Sequence, residues 1–133
     1  MNHREHRDHR EERDGLTGRV IGCAMEVHRS LGPGLLESAY QHCLAKELSV
    51  QGIDFQIQVP LAVDYKGTRI DCAFRIDVLV QQRLILELKS VEAISAIHEA
   101  QLLTYMKLSG IRTGLLLNFN VRLLKEGIKR FKL

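Results

Sequence analysis

The chain has 133 residues, enough for one domain with a modest core, and its 45% apolar and 26% charged content is that of an ordinary soluble globular protein. Aromatic residues make up only 5% and tryptophan is absent, which argues against an aromatic platform for single-stranded nucleic acid. The net charge is +3, no apolar run reaches the length of a membrane span or a signal peptide, and Cys23, Cys43 and Cys72 contain no CxxC pair. The composition therefore predicts a cytoplasmic protein with neither a disulfide framework nor a zinc ribbon.

Residues 1–14 hold four Arg against five acids and nothing apolar after Met1, so they are expected to be a disordered tail or a frayed helix, with the folded domain spanning 15–133. His3, His6 and His9 recur every third residue and are read as part of this solvated tail rather than as metal ligands. From Leu16 a helical stripe of Val20, Ile21, Ala24, Val27, His28 and Leu31 begins, and Gly32-Pro33-Gly34 breaks it. A second helix carries Leu36, Ala39, Tyr40, Cys43, Leu44 and Leu48, with Gly52 as its stop. His28 and His42 are read as structural.

The period then changes to two. Phe55, Ile57, Val59, Leu61 and Val63 alternate as in a strand, and Pro60 inside it predicts an edge position or a bulge. A turn at 65–68 leads to strands over 70–80 and 84–89. A helix over about 94–109 follows, with Ile97, Gln101, Thr104, Tyr105 and Leu108 on one side, then a short apolar strand over 113–119. Asn120 is expected to cap a last helix carrying Val121, Leu124 and Ile128. The order α-α-β-β-β-α-β-α describes a mixed sheet flanked by helices, with the helix after Lys89 as the crossover between parallel strands. The late cations Arg122, Lys125, Lys129, Arg130 and Lys132 are open to two readings, a solvated helix face or a phosphate-contacting edge.

Charged residues inside apolar strands are costly unless paired or metal-bound, which singles out Asp77, Glu87 and Lys89. Glu87 and Lys89 are two apart and share a face. If a three-residue loop at 81–83 pairs Val80 with Leu84, the same register sets Asp77 opposite Glu87 and Arg75 opposite Lys89; a two-residue loop would turn Asp77 to the other face. Opposed carboxylates repel, and a hard cation such as Mg²⁺ between them would remove that cost. Spacing alone leaves open the alternative that both acids merely pair with Arg75 and Lys89.

Asp77 with Glu87-Leu88-Lys89 resembles the core motif of the PD-(D/E)XK nuclease superfamily, and Gly34-Leu35-Leu36-Glu37-Ser38-Ala39-Tyr40 is similar to the signature of its GxxExxY family. Gln101-Leu102-Leu103-Thr104-Tyr105 resembles a QxxxY element, and Gly114 to Phe119 completes a similarity running from about Leu16 onward. Ile76 stands where the superfamily often has Pro. The resemblance implies a restriction-endonuclease-like α/β fold and a Mg²⁺- or Mn²⁺-dependent nuclease acting on nucleic acid, taken here as DNA. It implies metal ligation by Asp77, Glu87, Glu37 and the Leu88 carbonyl, and catalytic roles for Asp77, Glu87, Lys89, Glu37 and Gln101. Tyr105 and Tyr40 are read as substrate contacts, and His98 as peripheral. A nearly bare catalytic core predicts structure- or end-directed cleavage and a homodimer. The alternative is a non-catalytic nucleic-acid-binding or interaction module retaining the fold.

Overall fold

The computed structural model describes the backbone of residues 2–133 and the side chains of 15–71 and 74–133. The expected character of the 1–14 tail, and of Cys72, therefore lies outside the described side chains. The elements are α1 (Asn2–Leu31), α2 (Glu37–Val50), β1 (Phe55–Tyr65), β2 (Thr68–Val80), β3 (Leu84–Lys89), α3 (Ala96–Ser109), β4 (Thr113–Asn118) and, after a 3₁₀ turn (Leu124–Gly127), β5 (Ile128–Lys132). Among the described residues no helix is long and apolar enough to cross a membrane.

The five strands lie side by side in chain order. All neighbours are antiparallel except β3 and β4, whose parallel pairing runs from Ile85–Gly114 to Lys89–Asn118 and requires α3 as the crossover. This is the mixed α/β sheet of a restriction-endonuclease-like fold. One face buries Val78, Val80, Leu84, Leu86, Leu88, Leu115 and Leu117 beneath α1 and α2. The other buries Leu79, Ile85 and Leu116 beneath Leu102, Tyr105 and Met106 of α3. Because both faces are covered, β3 and β4 read as continuous apolar runs rather than as alternating ones.

Local chemistry accounts for most boundaries. α2 ends as Gly52 N–H donates to Ser49 O and Ile53 N–H to Leu48 O, the paired closure that a glycine past the helix end allows. β1 is an edge strand, the position Pro60 requires, and its register shifts between Leu61 and Val63. Gly114 lets α3 approach β4, since a Cβ there would lie 2.8 Å from Met106 Sδ and 2.9 Å from Leu102 Cδ1.

Three expectations need correction. The last helix is instead the 3₁₀ turn and β5. β4 is buried from Gly114 to Asn118 and its free edge would leave main-chain groups unpaired, so β5 completes the ladder from Thr113–Lys132 to Leu117–Ile128. Its apolar residues defeat a period-two reading because Ile128 packs on the α1/α2 face and Phe131 on the α3 face. The buried side of α3 is Leu102, Tyr105 and Met106, whereas Ile97, Gln101, Thr104 and Leu108 are exposed. Apolar residues surround this helix, and the gap above Gly114 selects which of them go in. Finally, Leu36 is 78% exposed and does not belong to the buried side of α2.

Candidate active site

The β2–β3 hairpin turns through Gln81, Gln82 and Arg83, with φ of 50° and 55° at the first two. Its odd length gives the pairs Val80–Leu84, Leu79–Ile85 and Val78–Leu86, the register expected from the sequence. There the ladder stops, one step before Asp77 and Glu87. Side chains take over from the main chain: Leu88 N–H donates to Asp77 Oδ2 at 2.9 Å, and Asp77 N–H donates to Glu87 Oε1 at 3.2 Å. The paired registry of Arg75 with Lys89 does not form, because β2 has already left β3; Arg75 pairs across to Pro60.

The distortion is visible in three places at one level of the sheet. Ile76 and Val78, two residues apart, bury on opposite faces, so alternation breaks at Asp77. On the neighbouring strand Gln58, flanked by the pairs Ile57–Val78 and Val59–Ile76, adopts φ of 51°, a left-handed conformation costly for a residue with a Cβ. Its amide donates to Gln41 Oε1 at 2.6 Å and, at 3.4 Å, to Asp77 Oδ1. Asp77 is thus held from both sides.

Glu87 is 4% exposed. Burial first, and the neighbouring Asp77 carboxylate second, push its pKa from 4.5 to about 8; the Asp77 N–H and Lys89 act in the opposite sense. The Asp77 N–H bond to Glu87 Oε1 holds the two acids side by side. None of the ion pairs among the described residues involves Asp77, Glu87 or Lys89. The alternative of simple pairing with Arg75 and Lys89 is therefore not what the structure contains.

Two groups of residues meet at this acid pair. On the α2 side, Glu37, Ser38, Gln41, Gln58, Asp77 and Leu88 line a cleft of about 420 Å³. On the α3 side, Tyr105 lies close enough to Glu87 and Asp77 that burial and then both acids raise its pKa, while a hydrogen bond from Gln101 lowers it. Tyr105, on the buried side of α3, thus faces the acids, and Gln101, one helical turn before it, reaches Tyr105 from an exposed position. Among the described residues no three His, Cys, Asp or Glu side chains gather at ligating range. Glu37 accordingly stands in the cleft wall and does not join the acid pair.

Tyr40 is not a substrate contact. It is fully buried, its hydroxyl donates to Gly32 O at 2.6 Å and accepts from Leu35 N–H at 3.2 Å, and its ring stacks on Phe119 at 4.4 Å. It closes the Gly-Pro-Gly loop that delivers Glu37. His98 accepts from Ser95 N–H through Nδ1 and so caps α3. His28 is buried with Nε2 facing the carbonyls of Phe119 and Val121, at 3.1 and 2.8 Å, which places a proton on that nitrogen. His42 is exposed on α2.

Sequence reasoning missed Gln41, Gln58 and Asn118. Asn118 is 2% exposed, accepts from Val91 N–H and donates to Val91 O, while Phe119 N–H donates to Lys89 O. This clamp fixes the chain on either side of Lys89. A buried Asn ending an apolar strand was a usable signal; Gln58 offered none, since it occupies an ordinary polar position of an alternating strand.

A family model described as that of the PD-(D/E)XK nuclease superfamily matches residues 14–131. No curated protein and no solved structure matches the chain.

Proposed function

The chain belongs to the PD-(D/E)XK nuclease superfamily, and from that premise we propose a Mg²⁺- or Mn²⁺-dependent nuclease of the GxxExxY type that hydrolyses phosphodiester bonds in DNA. The observation that carries this reading is the buried Glu87, bonded to the N–H of half-buried Asp77 and beside its carboxylate, with no side-chain cation at ion-pair distance from either among the described residues.

The donor set fits a hard divalent ion. Two carboxylates are the usual protein share for Mg²⁺, the remaining positions going to water and substrate phosphate. Asp77 and Glu87 would hold the ion, with the Leu88 carbonyl as a further oxygen and Glu37 acting from the cleft wall. Such an ion supplies Lewis-acid polarisation of the phosphate and activation of the attacking water.

The remaining steps belong to the protein. Burial and the neighbouring Asp77 favour the protonated form of Glu87 at neutral pH, so Glu87 would have to give up that proton to hold the ion. Lys89, two residues along β3 and held by the Phe119 N–H at its own carbonyl, presents an ammonium to orient the attacking water and to stabilise charge on the phosphoryl oxygens. Gln101 keeps the Tyr105 hydroxyl turned toward the acids, where it contacts the substrate phosphate. Structure- or end-directed cleavage by a cytoplasmic homodimer is part of the same proposal. The non-catalytic alternative has no observation in its favour, because a binding module has no use for a carboxyl buried beside a second acid.

The test is a cleavage screen offering single-stranded, duplex, flapped and branched DNA, and the RNA equivalents, with Mg²⁺ or Mn²⁺. Cleavage by the wild type that falls at least about a hundredfold in Lys89→Ala supports the assignment. Activity undiminished by that substitution would sink it.

A further inference from the structure

The late cations of the sequence do not share one helix face: Lys129, Arg130 and Lys132 lie on β5, and Arg122 and Lys125 precede it. Along β5, Lys129 points to the α3 face, where it bonds Glu99 at 2.9 Å and sits over Phe131. Arg122 pairs with Glu126 before the strand begins. Arg130 and Lys132 follow Ile128 onto the opposite face, that of α1. There they meet Arg83 from the β2–β3 loop and Arg112 from the loop before β4.

These four cations, with the hydroxyl-bearing Thr17 and Thr113 and the apolar Leu16, Leu84 and Leu133, line a cleft of about 360 Å³ whose described walls hold no acidic side chain. All four are exposed, and three separate segments of chain deliver them to one place. The cleft lies at the Leu84 end of β3, whereas Glu87 and Lys89 lie toward the other end, about 10 to 17 Å away at some 3.3 Å per residue. It is therefore separate from the acid pair.

We infer that this cleft is a second nucleic-acid contact, gripping backbone phosphates of the substrate away from the scissile bond. Three of its cations are guanidinium groups, whose planar donor forks fit phosphate oxygens in pairs. Arg83, Arg112 and Lys132, like charges around one opening, repel one another, and a polyanion relieves that repulsion while releasing its own counterions. The contact answers a need of the acid site, which has few cations of its own: Lys89 is the one cation acting on Glu87 among the described residues. This inference rests on the nucleic-acid reading of the preceding section.

Fluorescence anisotropy of a short labelled DNA duplex, titrated in EDTA across a range of salt, reads this contact without cleavage. The variants are Arg83→Ala, Arg112→Ala and Lys132→Ala, singly and combined, against a control removing equal charge elsewhere, Lys46→Ala with Lys66→Ala and Lys125→Ala. The combined cleft variant is expected to weaken binding at least about tenfold and to lower the salt slope by roughly one for each phosphate no longer neutralised, with the control little changed. Equal weakening in cleft and control variants, or none in either, overturns the inference, as does a wild type that does not bind. The single variants keep the test valid if the combined one does not fold. Mn²⁺ titration calorimetry on the same proteins separates the two claims: heat retained while DNA binding disappears places the defect in the cleft, while DNA binding without Mn²⁺ heat would break the metal reading and leave the cleft standing.

Discussion

The two ends of β3 carry opposite charge in opposite settings. At one end, Glu87 is withdrawn from water beside half-buried Asp77, in a place where the ladder between β2 and β3 fails. At the other, Arg83, Arg112, Arg130 and Lys132 stand in solvent around an open cleft. Buried charge is expensive and must be answered locally, so two residues suffice to define a cation site. Exposed charge is screened and individually weak, so it acts through number and through a long polyanion. The difference teaches how to tell the two contributions apart, because only the second fades with salt.

The sharpest way to break the comparison is to remove the acid end. Asp77→Ala and Glu87→Ala are expected to abolish cleavage, and Lys89→Ala to lower kcat by roughly 10²- to 10³-fold, the usual effect of deleting one donor to developing charge. Single-turnover assays with the wild-type substrate check this. Raising salt should instead weaken DNA binding steeply and leave Mn²⁺ affinity nearly unchanged.

Titration sharpens the same contrast. An exposed Glu in the unfolded chain releases its proton near 4.5, while folded Glu87 keeps it to about 8. Below pH 4.5 both states are protonated and burial costs nothing by this route. Between 4.5 and 8 the unfolded chain binds fewer protons, so stability falls at about 1.4 kcal/mol per pH unit, and above 8 the loss is complete. Denaturant melts of the metal-free protein should show a decline of a few kcal/mol across this window, absent in Glu87→Gln. Mn²⁺ should restore stability most at the alkaline end.

How much of this was legible from residues alone differs between the two ends. The acid end was, because Asp, Glu and Lys inside apolar runs violate a rule, and the odd loop at 81–83 fixed their register. The basic end was only half legible. Ile128 and Phe131 are three apart, a helical spacing, and nothing local reveals that the buried edge of β4 demands a fifth strand. Without that strand, Arg130 and Lys132 could not be separated from Lys129. The phase of α3 was hidden for a related reason, since the space above Gly114 belongs to the tertiary fold. Tyr40 carried a family signature that is structural here, its hydroxyl satisfied at both ends within the loop bearing Glu37.

Smaller effects follow from these supports. Tyr40→Phe removes two hydrogen bonds and should cost about 2 kcal/mol of stability with KM unchanged, read by denaturant melts beside steady-state kinetics. Gln58→Gly relieves the left-handed backbone opposite Asp77, so it should raise stability by up to about 1 kcal/mol, while kcat falls as Asp77 loses its amide partner.

The central claim is that buried Glu87 and its neighbour Asp77 exist as a pair to hold a divalent ion. Titration calorimetry of Mn²⁺ into the wild type and into Asp77→Ala tests it most directly. A saturable heat in the wild type that vanishes in Asp77→Ala is the predicted result; no heat in the wild type, or the same heat in both, would contradict it.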